Sequence, residues 1–311
     1  MMKKLFFSEA PHIHSGDTTQ KIMLDVVIAM FPAAVVSVVL FGLKALWIIA
    51  TCVITAVLAE YLFNLACGKK STIHDLSAVV TGLLLALNLS TNVALWQCAL
   101  GSIFAIVIVK GVFGGIGKNI VNPAIAARVL MLLTFSSVIG GAAPTLQGES
   151  ILVSGATPLV GLNEGTQSAT LSQLFLGTHG GTIGETCALA LILGFIYLVA
   201  RKVIKWYVPV AYVATTFLCY IVFTGSFTLA LSHVLAGGLL LGAIFMATDY
   251  VTTPVTNKGR VVFCIGCGIL TFVIRQFTSY PEGVSISILV MNLLVPFIEK
   301  FTAKKTLGGI K

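Results

Sequence analysis

Charged residues are scarce in this chain. They make up 10% of its 311 residues, whereas hydrophobic residues make up 57% and the mean hydropathy is +1.02. A soluble domain carries about a quarter charged residues. So little charge cannot cover a surface that faces water. The composition therefore excludes a soluble protein and predicts an integral membrane protein.

The chain also lacks the marks of several enzyme classes. The glycine-rich run that ends in Lys118 is not followed by Ser or Thr, so Walker A spacing is absent, which argues against nucleotide hydrolysis. Cys264 and Cys267 have CxxC spacing without a second pair, which favours packing, although a cluster shared with another subunit stays open. The polar N-terminal stretch has no apolar core before a cleavage site, so the first span is expected to direct insertion.

What the sequence does contain is a series of about ten apolar segments, most of them near the ~20 residues that span a bilayer. They are continuously apolar and lack period-two alternation, so they are predicted to be helices and not barrel strands. The third and ninth are short enough to be tilted, broken or re-entrant. The segments are 22–42, 45–66, 76–89, 93–113, 123–142, 184–200, 207–224, 227–248, 260–274 and 284–299.

The basic residues indicate the orientation of these spans. When the N-terminus is placed in the cytoplasm, sixteen of the 19 basic residues fall on the inner side, in accord with the positive-inside rule. Only Lys44 and Arg275 fall outside, and Arg128 lies within a span. Both termini are therefore predicted to be cytoplasmic. The net charge of +8 reflects this topology and requires no nucleic-acid partner.

The spans divide into two halves of five around a long outer loop. An odd number of spans per half gives the halves opposite orientations, and inverted repeats of this kind frame a central site. Gly82–Ala86 resembles Gly238–Gly242 in the third span of each half, although apolar helices also produce such strings by chance. The predicted organisation is a cytoplasmic segment 1–21, a first five-helix repeat 22–142, an extracytoplasmic loop 143–183, a second five-helix repeat 184–299 and a cytoplasmic tail 300–311.

A run of small residues marks the outer loop. Ser154, Gly155 and Ala156 precede Thr157, and the loop contains no Lys or Arg. Small side chains let a ligand approach the backbone closely. A bulky anionic group could therefore be tied to the threonine hydroxyl on the outer side of the membrane.

A second group of polar motifs lies near the inner face. Asn122 followed by Pro123 is predicted to cap span five. The glycines before Lys118 either cradle a phosphate or flavin edge or form a tight turn. Arg128 either snorkels to the inner interface or donates to an anionic or electron-rich cofactor. Asp249, at the end of span eight, either caps a loop or accepts from a bound ring N–H.

The acidic residues fall outside the middle of the predicted spans. Ion paths through membranes usually expose Asp or Glu within spans. The sequence therefore predicts that this chain has no midplane carboxylate relay of its own, with backbone carbonyls and hydroxyls at a broken helix as the alternative.

Five blocks carry a family resemblance over nearly the whole length. They are Pro11–Ile13 with Asp25 and Pro32, Phe113–Ala124, Ser154–Leu159, Met246–Asp249 with Thr256–Arg260, and Ser279–Gly283 with Met291 and Asn292. In this order they resemble the D subunit of the Rnf complex and its relative, the B subunit of the sodium-pumping NADH:quinone oxidoreductase, Nqr. The short stretch before the first span favours the Rnf relative.

The resemblance implies two flavins. A flavin transferase links FMN through its phosphate to the motif threonine, here Thr157. The family motif usually has an acidic residue six positions before that threonine, whereas this chain has Ile151, and Glu149 or Glu164 is the candidate substitute. A second, noncovalent riboflavin is implied nearer the inner face. The residues proposed to bind the two flavins are Thr157, Ser154, Gly155 and Ala156 outside, and Arg128, Asn122, Lys118 and Asp249 inside.

The resemblance also implies a reaction and partners. The chain would pass electrons across a bacterial inner membrane within a ferredoxin:NAD oxidoreductase coupled to Na+ or H+ transport. Its partners would be the flavin-bearing G subunit outside, the A and E subunits in the membrane, the B and C subunits at the cytoplasmic side, and membrane lipid. A quinone-reducing Nqr-type subunit and a flavin-free channel or transporter with the same helical bundle remain alternatives, and the flavin content of the purified complex separates the last.

Overall fold

The computed structural model describes residues 18–69, 71–135, 158–163, 170–278 and 283–303. Helices carry the regular structure in these ranges, which confirms the predicted all-α, polytopic class. The small-residue run from Ser154 to Thr157 lies outside the described residues, so the structure does not test its predicted role.

The helices follow the predicted order of the apolar segments. The first half contains α1 (Thr19–Phe41), α2 (Leu43–Ala66), α3 (Ser77–Leu87), α4 (Leu95–Val112) and α5 (Pro123–Thr134). Two short helices follow, α6 (Pro158–Asn163) and α7 (Leu171–Leu176). The second half contains α8 (Ala188–Ala200), α9 (Tyr207–Thr224), α10 (Phe227–Leu235), α11 (Leu239–Met246), α12 (Asn257–Phe277) and α13 (Val284–Thr302).

Fewer of these helices are full-length spans than the ten predicted. Within the described ranges, α1, α2, α4, α9, α12 and α13 are long and apolar enough to cross a membrane, and α10 with α11 forms a seventh, bent span. The predicted third, fifth and sixth spans are the shorter helices α3, α5 and α8. The 11 residues of α3 extend only about 17 Å, against a hydrocarbon core of about 30 Å. This helix by itself is therefore too short to span the core.

The structure differs from two predictions about broken spans. The ninth span, predicted to be short, is the continuous 21-residue helix α12, because the helix extends three residues beyond the predicted segment at each end, to Asn257 and to Phe277. The eighth span, predicted to be continuous, bends by 66° between α10 and α11. Gly237 has a φ of 72° at this bend, a conformation that glycine adopts without strain.

The two halves pack through equivalent helices. The first helices, α1 and α8, contact each other, and so do the fifth helices, α5 and α13. A Cβ atom at Gly194 of α8 would lie 2.3 Å from the carbonyl oxygen of Ala29 in α1, so only glycine permits this approach. Contacts between equivalent helices are the arrangement expected around a pseudo-twofold axis, and the predicted inverted repeat is compatible with them.

The orientation remains a prediction, which reporter fusions can test. We expect fusions after Gly148 and after Lys311 to report opposite sides of the membrane, the first outside and the second inside, because the basic residues concentrate on one side. A periplasmic phosphatase and a cytoplasmic fluorescent protein at each position provide complementary readouts. Matching signals at the two positions would show that the number of crossings between them is even.

Candidate functional site

The chain immediately after the motif threonine is anchored at the bend between α10 and α11. Helix α6 begins at Pro158, the residue next to Thr157. Leu159 and Leu162 are buried in a cluster with Leu174 and Ala236. The polypeptide that leaves the predicted attachment site is therefore fixed against the bent span of the second half.

Asn122 caps α5 as predicted. Its Oδ1 accepts hydrogen bonds from the backbone N–H groups of Ala124 (3.0 Å) and Ile125 (3.4 Å), and Pro123 occupies the first turn. These bonds satisfy N–H groups that a helix N-terminus otherwise leaves unpaired. The local pattern of Asn followed by Pro was sufficient to predict this contact.

Asn292 of α13 joins the polar motifs of the two halves. When its amide is oriented to satisfy both ends, Nδ2 donates to the Thr252 carbonyl oxygen (3.0 Å) and Oδ1 accepts from the Asn122 N–H (3.2 Å). Thr252 belongs to the loop that follows Asp249. Asn292 was predicted only as part of a motif, and the structure shows that it holds the Asn122 and Asp249 loops together.

A cavity lies where these two loops meet, and we call it the inner pocket. Its walls come from α1, α3, α4, the loop before α5, and the ends of α8 and α11 with the segments that follow them. Apolar side chains such as Leu84 and Phe245 form its deeper part. The polar residues that line it are Ser77, Thr81, Lys110, Asn119, Asn122, Thr248, Asp249 and Tyr250. Asn119 Oδ1 is buried and has no hydrogen-bond partner among the described residues, so it is free to accept from a ligand or water.

The Asp249 carboxylate organises its own loop at the rim of this pocket. Its Oδ2 accepts from the Thr252 hydroxyl (2.9 Å) and its Oδ1 from the Val251 N–H (3.4 Å). Burial raises the pKa of Asp249, and the hydrogen bonds from Thr252 and Val251 oppose that shift. The loop-capping interpretation therefore describes its contacts, while the side chain still faces the pocket.

Lys118 is placed differently from the other predicted inner residues. Its side chain lies along Gly114, which has a φ of 111°, and it is not among the described residues that line the inner pocket. Gly115 and Gly117 also have positive φ values. The glycines therefore form a tight turn over which Lys118 folds, the alternative to a phosphate cradle.

Arg128 does not snorkel to the interface. Its side chain is buried (2% exposed), and Nη1 donates to Asn88 Oδ1 at 3.2 Å. Glu185, which is also buried, attracts the guanidinium electrostatically. Arg128 thus ties α5 to the end of α3 and to the segment before α8. Among the described residues, Asn122 and Asp249 line the inner pocket and Arg128 does not.

A buried ion pair between α2 and α4 was not predicted as a site. Lys110 Nζ lies 2.7 Å from Glu60 Oε1 and donates to Ser77 Oγ at 2.5 Å. Both charged residues are about 95% buried. The available signal was two opposite charges, each within an apolar segment of the same half, but the predicted topology had assigned both to the inner side.

The fold and the inner pocket define a polytopic helical membrane protein with a polar cavity between two halves. The chain belongs to the family described as NQR2, RnfD, RnfE, whose family model matches residues 6–308. This match confirms the resemblance that the five sequence blocks indicated.

Relatives that align over almost their whole length show which members of the family this chain is similar to. The chain is 42% identical over 311 residues to the D subunit of the Na(+)-translocating ferredoxin:NAD(+) oxidoreductase complex of Acetobacterium woodii, covering 99% of this chain and 96% of that protein. It is 40% identical to the D subunit of the proton-translocating ferredoxin:NAD(+) oxidoreductase complex of Clostridium ljungdahlii, covering 99% and 98%. It is 35% identical to the D subunit of the ion-translocating oxidoreductase complex of Stutzerimonas stutzeri, covering 94% and 92%.

Proposed function

We propose that this chain is the D-type subunit of an ion-translocating ferredoxin:NAD oxidoreductase of the Rnf type in a bacterial inner membrane. It would carry electrons between a covalent FMN on Thr157, outside, and a riboflavin in the inner pocket. The observation that carries the proposal is identity of 40% or more, over 99% of the chain, to two proteins named for that activity. The Nqr-type quinone reductase and the flavin-free transporter lack comparable support.

The outer attachment site is supported by what anchors the chain next to it. A phosphoester needs a hydroxyl, and small flanking residues give the phosphate access to it. Leu159 and Leu162 hold α6 on the second half, so a flavin tethered at Thr157 would stay close to the bundle. Electron transfer requires a fixed distance between the flavin and its redox partner. A covalent bond also prevents loss of the flavin to the outer aqueous phase.

The chemistry of the inner pocket suits an uncharged tricyclic ring with amide groups. Apolar walls can contact the ring faces, while Asn119 and Asp249 can bond to its polar edge. The cavity has a volume of about 100 Å³, smaller than the roughly 300–1,000 Å³ of ligand sites. Binding would therefore require the loop that carries Ile116, which is 40% exposed, to move outward. A bound flavin would supply a centre that takes two electrons and releases them singly.

The residues of this chain would bind the flavin, orient it and exclude water from it. Asn292 would keep the Asn122 and Asp249 loops at a fixed separation, and Leu84 and Phe245 would exclude water from the deep end. The partners we expect are the Rnf A, B, C, E and G subunits, membrane lipid, and a flavin transferase for maturation. Two relatives of similar identity are named for different ions, so overall similarity does not select Na+ or H+.

Replacing Asp249 by alanine is expected to lower the riboflavin content of the purified complex by about tenfold or more. The change removes a carboxylate from the pocket wall, and hydrogen bonds to charged groups contribute roughly 1.5–3 kcal/mol. The measurement is chromatographic quantification of released riboflavin. FMN bound at Thr157 is expected to remain.

Thr252→Ala is the matched control for this experiment. It removes the hydroxyl that stabilises the Asp249 loop but leaves the carboxylate in the pocket. We expect it to retain riboflavin. An equal loss in both variants would show that loop integrity, and not the carboxylate, determines flavin content.

A further inference from the structure

A chain of hydrogen bonds links the inner aqueous side to the inner pocket through the buried ion pair. The exposed Thr72 hydroxyl donates a hydrogen bond to Glu60 Oε1 (2.7 Å). The same oxygen accepts a hydrogen bond from Lys110 Nζ (2.7 Å). Lys110 in turn donates to Ser77 Oγ (2.5 Å). Each link is short enough for proton transfer between neighbouring heavy atoms.

The pair stands between two cavities. Lys110 lines the inner pocket and also a second cavity of about 240 Å³. Glu60, Thr72 and the exposed Lys69 line the second cavity, which therefore reaches the inner surface. Ser77 lines the inner pocket. Glu60 and Lys110 thus separate the two spaces, with one on the aqueous side and the other facing both.

Within the described ranges, one carboxylate oxygen of Glu60 is not used as a hydrogen-bond acceptor. Its Oε2 is buried and makes no hydrogen bond in the part of the chain that the structure describes. A buried ion pair is costly to desolvate and is commonly no more stable than apolar residues of the same size. Stability alone therefore gives little reason for these charges, whereas a carboxylate that lines the second cavity and retains an unused acceptor gives a path for protons.

We propose that Glu60 and Lys110 form a proton-transfer connection from the cytoplasmic side to the inner pocket. The inference rests on the proposed function, because the flavin proposed there takes up protons when electrons reach it from the outer flavin. Lys110 breaks one N–H bond and gives that proton to the ring. The Glu60 carboxylate takes up one proton from water of the second cavity and passes it to the resulting amine, which restores the ion pair. The net change is one proton moved from the cytoplasmic side to the ring.

Other charged groups near this connection differ in position. Asp75, which accepts from Ser77 Oγ (2.6 Å), and Lys69 line the second cavity, and Asp249 lines the inner pocket. Ser77 Oγ therefore accepts from Lys110 and donates to Asp75. Lys110 alone among these charged groups lines both cavities. The connection ends at the inner pocket, so it agrees with the prediction that no midplane carboxylate relay crosses this chain.

Lys110→Arg is the decisive variant in the purified complex. Arginine keeps the positive charge and the contact with Glu60, but it does not release a proton. We expect riboflavin content and its midpoint potential to stay at the parental values. Flavin reduction, followed by stopped-flow absorbance, should slow by about tenfold or more, since proton donors contribute about 10²–10⁴-fold. Methylammonium should partly restore the rate in Lys110→Ala.

Arg201→Gln provides the matched control. Arg201 pairs with Asp25 at 3.2 Å, but its side chain is 56% exposed and the pair lines neither cavity. The rate of flavin reduction in Arg201→Gln should match that of the parent complex. Glu60→Gln should slow flavin reduction as Lys110→Arg does. A parental rate in Lys110→Arg, or loss of riboflavin from it, would overturn the connection while leaving the proposed function intact. If the parent complex contains no riboflavin, both the proton-transfer connection and the proposed function are wrong.

Discussion

Replacing Thr157 by alanine is expected to abolish covalent attachment of FMN to this chain. A phosphoester joins the flavin phosphate to a side-chain oxygen, and alanine has none. The in-gel fluorescence of the denatured band should fall to background, and mass spectrometry should find the peptide that contains Thr157 unmodified. We expect a complete loss of the adduct, because the alanine side chain has no atom that can form a phosphoester.

Two neighbouring variants make this prediction specific. Thr157→Ser keeps a hydroxyl at the same position and should retain part of the adduct. Ser154→Ala removes the other hydroxyl of the run and should leave the adduct on residue 157. An adduct that persists in Thr157→Ala, or that disappears only in Ser154→Ala, would move the attachment site and contradict the central proposal.

Local patterns predicted the features that depend on neighbours in sequence. The Asn122 cap follows from a side chain that reaches the N–H groups two and three residues onward. The shortness of α3 follows from the limited apolar run between Asp75 and Asn88. The bend before α11 had a usable signal in Gly237 and Gly238, but the apolar residues on both sides concealed it.

Contacts between distant segments could not be predicted in this way. Lys110 and Glu60 are 50 residues apart, and Arg128 and Asn88 are 40 apart. Positive-inside counting places a basic residue on one side of the membrane but does not say whether it faces water or a buried carboxylate. Arg128 was grouped with Asn122 and Asp249 because each is polar and lies at the inner end of a predicted span, and this grouping did not predict its bond to Asn88 across α5 and α3.

The burial of Arg128 leads to the second large expected effect. Arg128→Leu should destabilise the chain strongly, because it leaves the buried Asn88 Oδ1 without this donor and removes the positive charge that interacts with the buried Glu185. Removing one partner of a buried charged pair costs about 3–5 kcal/mol. We expect a lower yield of assembled complex and a lower midpoint in thermal unfolding followed by size-exclusion chromatography.

Two comparisons separate this effect from a general loss of charge. Arg201→Gln breaks an ion pair whose arginine is exposed, and such pairs contribute roughly 0–1 kcal/mol, so its midpoint should stay near the parental value. Adding Glu185→Gln to Arg128→Leu removes the isolated carboxylate and should recover part of the lost stability, as a double-mutant cycle measures. If the double variant is no more stable than Arg128→Leu alone, Glu185 does not balance Arg128, and the guanidinium acts chiefly through the amide of Asn88 at the end of α3.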